Sequence, residues 1–149
     1  MRILLAVDGS APSQDAVDEV ARRPWPSPST VRILSVTQPY TPPATEVVLA
    51  GATLEDIRKR QAAEAERLTK EAGERIAAPG LSVETAIQEG DPRTEIVDAA
   101  DEWKADLIVV GSHGRTGLKR LLLGSIAAAV VAHAHCSVEV IRGRTKSAT

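Results

Sequence analysis

Asp106–Ser125 reads DLIVVGSHGRTGLKRLLLGS. Its first five residues, Asp106 to Val110, have the continuous hydrophobicity of a strand covered on both faces. Beyond it, Ile126 to Ala134 reads as a buried helix. Gly111, Gly114, Gly117 and Gly124 therefore lie in a strand-to-helix connection whose backbone must bend tightly and stay bare. Such a connection suits a phosphate, because main-chain N–H groups converge on anionic oxygens and the helix start adds unpaired donors and a positive dipole end.

The rest of the chain supplies alternating strands and helices. Upstream, Arg2 to Val7, Val31 to Val36 and Leu81 to Ile87 read as strands, and Ser137 to Ile141 follows as the fifth. Ser10, Pro12 and Ser13 open a first helix with Ala16, Val17, Val20 and Ala21 on its apolar face. Thr53 with Asp56 forms a capping-box pattern ahead of a long helix carrying Leu54, Ile57, Gln61, Ala65, Leu68, Ala72 and Ile76 on one face. The intervening charges of that helix read as a solvated face. Gly90-Asp91-Pro92 opens the next helix, with Asp91 as N-cap and Ile96, Val97, Ala100 and Trp103 facing inward. Between Gln38 and Ala52 the prolines and Gly51 make a long irregular connection, of the kind used for functional loops.

Strands alternating with helices imply an α/β fold, a doubly wound parallel sheet with helices on both faces and ligands beyond the carboxyl ends of the strands. Glu139 between Val138 and Val140 puts the fifth strand at an edge, where a second copy could pair. At 149 residues and 43% hydrophobic composition, residues 1–149 are expected to form one domain. A net charge of −2 argues against a nucleic-acid surface. The longest apolar stretch, Leu121 to Ala132, is interrupted by Gly124 and Ser125 and is too short for a membrane span. Cys136 is the single cysteine and MRILLAVDGS lacks a signal-peptide layout, so a cytoplasmic protein is expected.

The glycine spacing excludes two familiar phosphate loops. The P-loop needs Gly, four residues, Gly, Lys and Ser/Thr after the first strand; the dinucleotide fingerprint belongs in the first βα turn, which here reads Asp8-Gly9-Ser10. What remains is Gly111, two residues, Gly114, nine residues, then Gly124-Ser125. With ILLAVDGS at the start, Gly90-Asp91-Pro92, ADLIVVGSHGR over Ala105 to Arg115 and the closing strand, this resembles the universal stress protein family over nearly the whole chain. The resemblance implies a five-stranded parallel sheet in the order 3-2-1-4-5 and a homodimer through strand five. In the branch that keeps the glycine motif it also implies binding of ATP, with Mg²⁺ bridging the phosphates.

Carried onto this chain, it places Asp8 against the adenosine, Val36 against adenine, and Val110, Gly111, His113, Gly114 and Arg115 along the ribose and phosphates. Gly124, Ser125 and Ile126 would hold the phosphate tail at the helix start. Ala127 stands where ATP-binding members often carry a hydroxyl. Asp8 could instead cap the first turn, although strand-end carboxylates in this architecture face the crevice, and His113 can equally bond only backbone. Lys119 and Arg120 could reach phosphate or merely solvate the loop, and Tyr40 could lid an otherwise aliphatic adenine pocket. His133, His135 and Cys136 suggest a metal site, but the spacing turns the two imidazoles to different faces, which favours a structural role. No general base is evident, so the expected function is ATP binding in stress-response regulation with no or slow hydrolysis. The alternative is a nucleotide-free dimeric interaction module.

Overall fold

The computed structural model describes residues 1–39, 43–45, 53–113 and 122–143. Nine elements follow in order: β1 Arg2–Ala6, α1 Ala11–Arg22, β2 Ser29–Thr37, α2 Leu54–Ile76, β3 Leu81–Glu89, α3 Pro92–Trp103, β4 Leu107–Gly111, α4 Ser125–His133 and β5 Ser137–Ile141. All five strands are parallel in the order β3-β2-β1-β4-β5. The winding reverses between β1 and β4, the neighbours at the centre of the sheet.

Side-chain alternation along the central strands feeds two separate cores. On one face Ile3, Leu5 and Val7 pack with Val17 and Val20 of α1 and Leu68, Ala72 and Ile76 of α2. On the other, Leu4, Leu34, Ile108 and Val110 pack with Ile96, Val97 and Ala100 of α3 and Ala127 and Val130 of α4. Burial on both faces is why these strands read as unbroken hydrophobic runs.

Three helices start as their sequences dictate. Ser10 accepts from the Ser13 N–H at α1, Thr53 and Asp56 form the reciprocal capping box of α2, and Asp91 accepts from the Arg93 N–H at α3, with Pro92 in the first turn. The element ends differ from expectation by a residue or two. β1 stops at Ala6, one residue short, whereas β2 and β3 extend to Thr37 and Glu89. α2 also departs from its regular pattern. Ala65, Leu68, Ala72 and Ile76 are buried, but Leu54 is 50% exposed. Burial begins at Ala65, and the first turns of this helix stand at the carboxyl edge of the sheet, where Arg58 pairs with Glu89, the last residue of β3.

β5 is an edge strand, and Glu139 there accepts from Arg23 Nη1 at 2.6 Å, with a second, shorter contact from Nη2. The guanidinium holds the Glu139 carboxyl below its usual range, against the smaller opposing effect of partial burial. At the amino-terminal ends of the strands, Arg2 donates to the Trp103 carbonyl at 2.7 Å and its N–H to Asp106 Oδ2 at 2.7 Å. Arg32 lies over the Trp103 ring, 4.4 Å from its centroid, and pairs with Glu84. Trp103, read from the sequence as a plain apolar contact, is thus half-buried and covered by cations.

Candidate functional site

A cavity of about 600 Å³ opens at the carboxyl edge of the sheet, where the winding reverses. Its floor comes from the ends of β1 (Ala6, Val7, Asp8), β2 (Leu34 to Gln38) and β4 (Val110, Gly111). One wall is the start of α4, from Gly124 to Ala127, with His113 and with Pro92 and Ile96 of α3; the other is α2, from Arg60 to Leu68. That volume falls within the range of small-molecule pockets, roughly 300 to 1,000 Å³.

Eight residues expected from the sequence, Asp8, Val36, Val110, Gly111, His113, Gly124, Ser125 and Ile126, line this one cavity although they come from four separate parts of the chain. Gly114, Arg115, Lys119, Arg120 and Tyr40 lie outside the described residues.

Local geometry gives each group a definite capacity. In a parallel ladder successive residues turn their peptide groups to alternate neighbours. Leu34 O accepts from Val7 N at 2.9 Å and Thr37 O from Gly90 N at 2.9 Å, so Val36 turns its N–H and C=O toward the β1 side. The last β1–β2 pair is Ala6 with Leu34, and β1 has already turned away into α1. Val36 therefore presents one main-chain donor and one acceptor, side by side, to the cavity.

The start of α4 complements this from the other end. Gly124 is its N-cap and supplies no side-chain cap, unlike Ser10, Thr53 and Asp91. Gly124 N–H donates to Ser112 O at 2.8 Å, and the first intrahelical acceptor, Gly124 O, receives Ala128 N–H at 2.9 Å. The N–H groups of Ser125, Ile126 and Ala127 are then the orphan donors of the first turn, at the positive end of the dipole. Because its N–H is taken by Ser112 O, what Gly124 adds to the helix start is a backbone without a side chain. A Cβ at Gly124 would lie 2.9 Å from Ser112 O and 3.2 Å from His113 Cα, both backbone atoms.

Gly111 likewise has a second reason to be glycine. A Cβ there would stand 2.8 Å from the Pro12 carbonyl carbon and 2.9 Å from Ser13 N, so it lets the first turn of α1 close on β4 as well as lining the cavity. Asp8 takes the turn role expected of it, Oδ1 accepting from Ser10 N at 2.9 Å and Ser10 Oγ at 2.6 Å at the entry to α1, and it also borders the cavity. His113 Nδ1 meets Ser112 Oγ at 2.9 Å, while its buried Nε2 has no partner among the described residues. An orphan imidazole nitrogen, three orphan amides and a backbone too close for a Cβ fit an anionic, oxygen-rich group.

Sequence reasoning missed the α2 wall. Arg60 and Glu64 read as solvated charges and Gln61 as part of the core stripe, yet all three border the cavity. Glu64 accepts from Arg67 at 2.6 and 2.9 Å. Elsewhere, His135 Nδ1 lies 2.9 Å from Asp101 Oδ2, and burial with the nearby Asp101 charge raises the Cys136 thiol above its ordinary value. Among the described residues, no group of three or more His, Cys, Asp or Glu could hold a metal ion, and no helix is long and apolar enough to cross a membrane.

Comparison with known proteins sets this geometry in context. The model of the universal stress protein family matches residues 1–142. Universal stress protein YxiE of Bacillus subtilis is 32% identical over 147 residues, covering 95% of this chain and 98% of that one. Universal stress protein MJ0531 of Methanocaldococcus jannaschii is 51% identical over 63 residues, a match that spans 42% of this chain and 37% of that protein. The solved structure of MJ0577, from the same organism, superposes with a TM-score of 0.81 at 27% identity, covering 98% of this chain and 97% of that one. The universal stress protein of Archaeoglobus fulgidus, solved in complex with dAMP, superposes with a TM-score of 0.56 at 26% identity over 95% and 97% of the two chains. One family model running from Met1 to Arg142, and a full-length relative alongside it, place the chain in the universal stress protein family.

Proposed function

We propose that this chain is an adenine-nucleotide-binding regulatory protein of the stress response, which takes ATP into the cavity and holds it with no or slow hydrolysis. The observation that carries the reading is the pairing, across one cavity, of the Val36 peptide edge with the uncapped start of α4. Adenine offers an acceptor at N1 beside a donor at N6, which matches a neighbouring N–H and C=O; guanine offers the reverse. The α4 amides of Ser125, Ile126 and Ala127, with the Ser125 hydroxyl and His113 Nε2, receive phosphate oxygens. Mg²⁺, when bound, supplies charge neutralisation between phosphate oxygens and asks few ligands of the protein. The dAMP complex of the Archaeoglobus fulgidus relative supports an adenine ligand on this fold.

Holding is favoured over hydrolysis because both carboxylates among the described lining residues are already engaged, Asp8 by Ser10 and Glu64 by Arg67. The edge position of β5 supports a homodimer built by strand pairing, which sedimentation analysis tests directly. Calorimetry with ATP, AMP, cAMP and GTP in Mg²⁺ buffer tests the function. Saturable binding of adenine nucleotides with GTP much weaker is the expected result. No binding at millimolar ATP, or equal affinity for GTP, would refute it.

A further inference from the structure

Two polar residues face inward from α2: Thr69, whose hydroxyl donates to Ala65 O and Glu66 O within the helix, and Gln61, which interrupts the stripe Leu54, Ile57, Ala65, Leu68, Ala72 and Ile76. Gln61 stands at the turn where the helix leaves the sheet. Below it Ala65 and Leu68 are buried, above it Leu54 is exposed, and Gln61 itself is half-buried against the cavity. An apolar residue would continue the pattern at no cost, whereas a partly desolvated amide needs partners for two donors and a carbonyl. Gln61 makes no side-chain hydrogen bond to another described residue, and its neighbour Glu64 is turned along the helix to Arg67.

The direction of approach follows from the sheet. A planar base whose edge meets the Val36 peptide continues the sheet plane, so its faces look toward the two helix layers. Pro92 and Ile96 of α3 lie on one side, and α2 lies on the other. α2 packs over β2 and β3 rather than β4, so Gln61 sits at the nucleoside half of the cavity and away from the α4 amides.

We propose that Gln61 is a nucleoside-binding residue of this site, its amide hydrogen-bonding the nucleoside half of the bound nucleotide. The inference rests on the nucleotide reading above and deepens it: α2 becomes a third recognition element beside the β2 edge and the α4 start.

The test uses the full chain and two variants, Gln61→Leu, which keeps the volume and continues the apolar stripe, and Gln61→Ala. Both leave helix propensity intact or improved, so a circular-dichroism melt checks that the fold is retained. Calorimetry is run with adenosine, AMP and ATP. Loss of a neutral hydrogen bond corresponds to about a 2- to 10-fold weaker Kd, and the expected result is that loss, in both variants, by the same factor for all three ligands. A merely structural role would not give a factor independent of phosphate number. Unchanged or tighter adenosine binding by Gln61→Leu would overturn the assignment of Gln61 and leave the nucleotide reading standing. Failure of the unaltered chain to bind any of the three would overturn both.

Discussion

Replacing Ser125 by glutamate pits the stability of α4 against the proposed phosphate contact. Ser125 is exposed, occupies the first turn of α4, and follows an N-cap that makes no side-chain hydrogen bond. A carboxylate there lies beside the uncapped helix start and is favoured by the helix dipole by about 0.3 to 1 kcal/mol. For a chain of this length that is a rise in Tm of about 1 to 4 °C. The same carboxylate, about 5 Å from a bound phosphate charge, repels it by roughly 3 kcal/mol at an effective dielectric of about 20, or on the order of 100-fold in Kd. Ser125→Gln is the control that keeps the shape and omits the charge. The assay is a pair of measurements on each variant: thermal unfolding without nucleotide, and ATP binding by calorimetry at two salt concentrations. Ser125→Glu is expected to melt higher than Ser125→Gln and to bind ATP far more weakly, the gap narrowing as salt rises. If Ser125→Glu melted lower, or bound ATP as well as Ser125→Gln does, the α4 start would not be the anion cradle and the reasoning would fail.

Other expectations concern the scaffold. Gly111→Ala drives a Cβ to within 2.8 Å of the Pro12 carbonyl carbon, a backbone atom that cannot swing aside; urea unfolding should report a loss of about 1 to 3 kcal/mol. Ile108, fully buried in the α3–α4 core, should cost about 2 to 5 kcal/mol as Ile108→Ala by the same assay. Glu139 is held below its ordinary pKa by Arg23, so its contribution to stability is present above the unfolded carboxyl value and is lost as pH falls through the lowered folded one. Glu139→Gln should therefore narrow the difference in melting temperature between pH 7 and pH 3 relative to the unaltered chain. At Thr53, where both capping-box bonds are made, Thr53→Ala should lower stability by about 1 kcal/mol and reduce helicity by circular dichroism.

What could be read in advance divides along physical lines. Short-range chemistry was legible: Gly90-Asp91-Pro92 announced α3, Thr53 with Asp56 announced α2, and Glu139 announced an edge strand, because each is decided within a few residues. Strand order was not in the periodicity at all and came through family resemblance. The α2 wall escaped because a 3.6-residue period tells which face is inward but not how far along the helix the sheet ends; Gln61 carried the signal, a polar residue inside an apolar stripe. Gly111 and Gly124 were found as glycines at the right spacing, yet their reasons, contact with α1 and with Ser112 O, depend on neighbours distant in sequence.

The Arg2, Arg32, Trp103 and Asp106 cluster clamps the amino-terminal ends of the strands, and the cavity occupies their carboxyl ends. Anchorage and recognition are thereby set a strand's length apart, joined by a rigid floor of aliphatic side chains. Ligand preference can consequently drift through substitutions at the open rim while the anchored end keeps the chain folded, so one scaffold can be re-addressed to new cargo without being rebuilt.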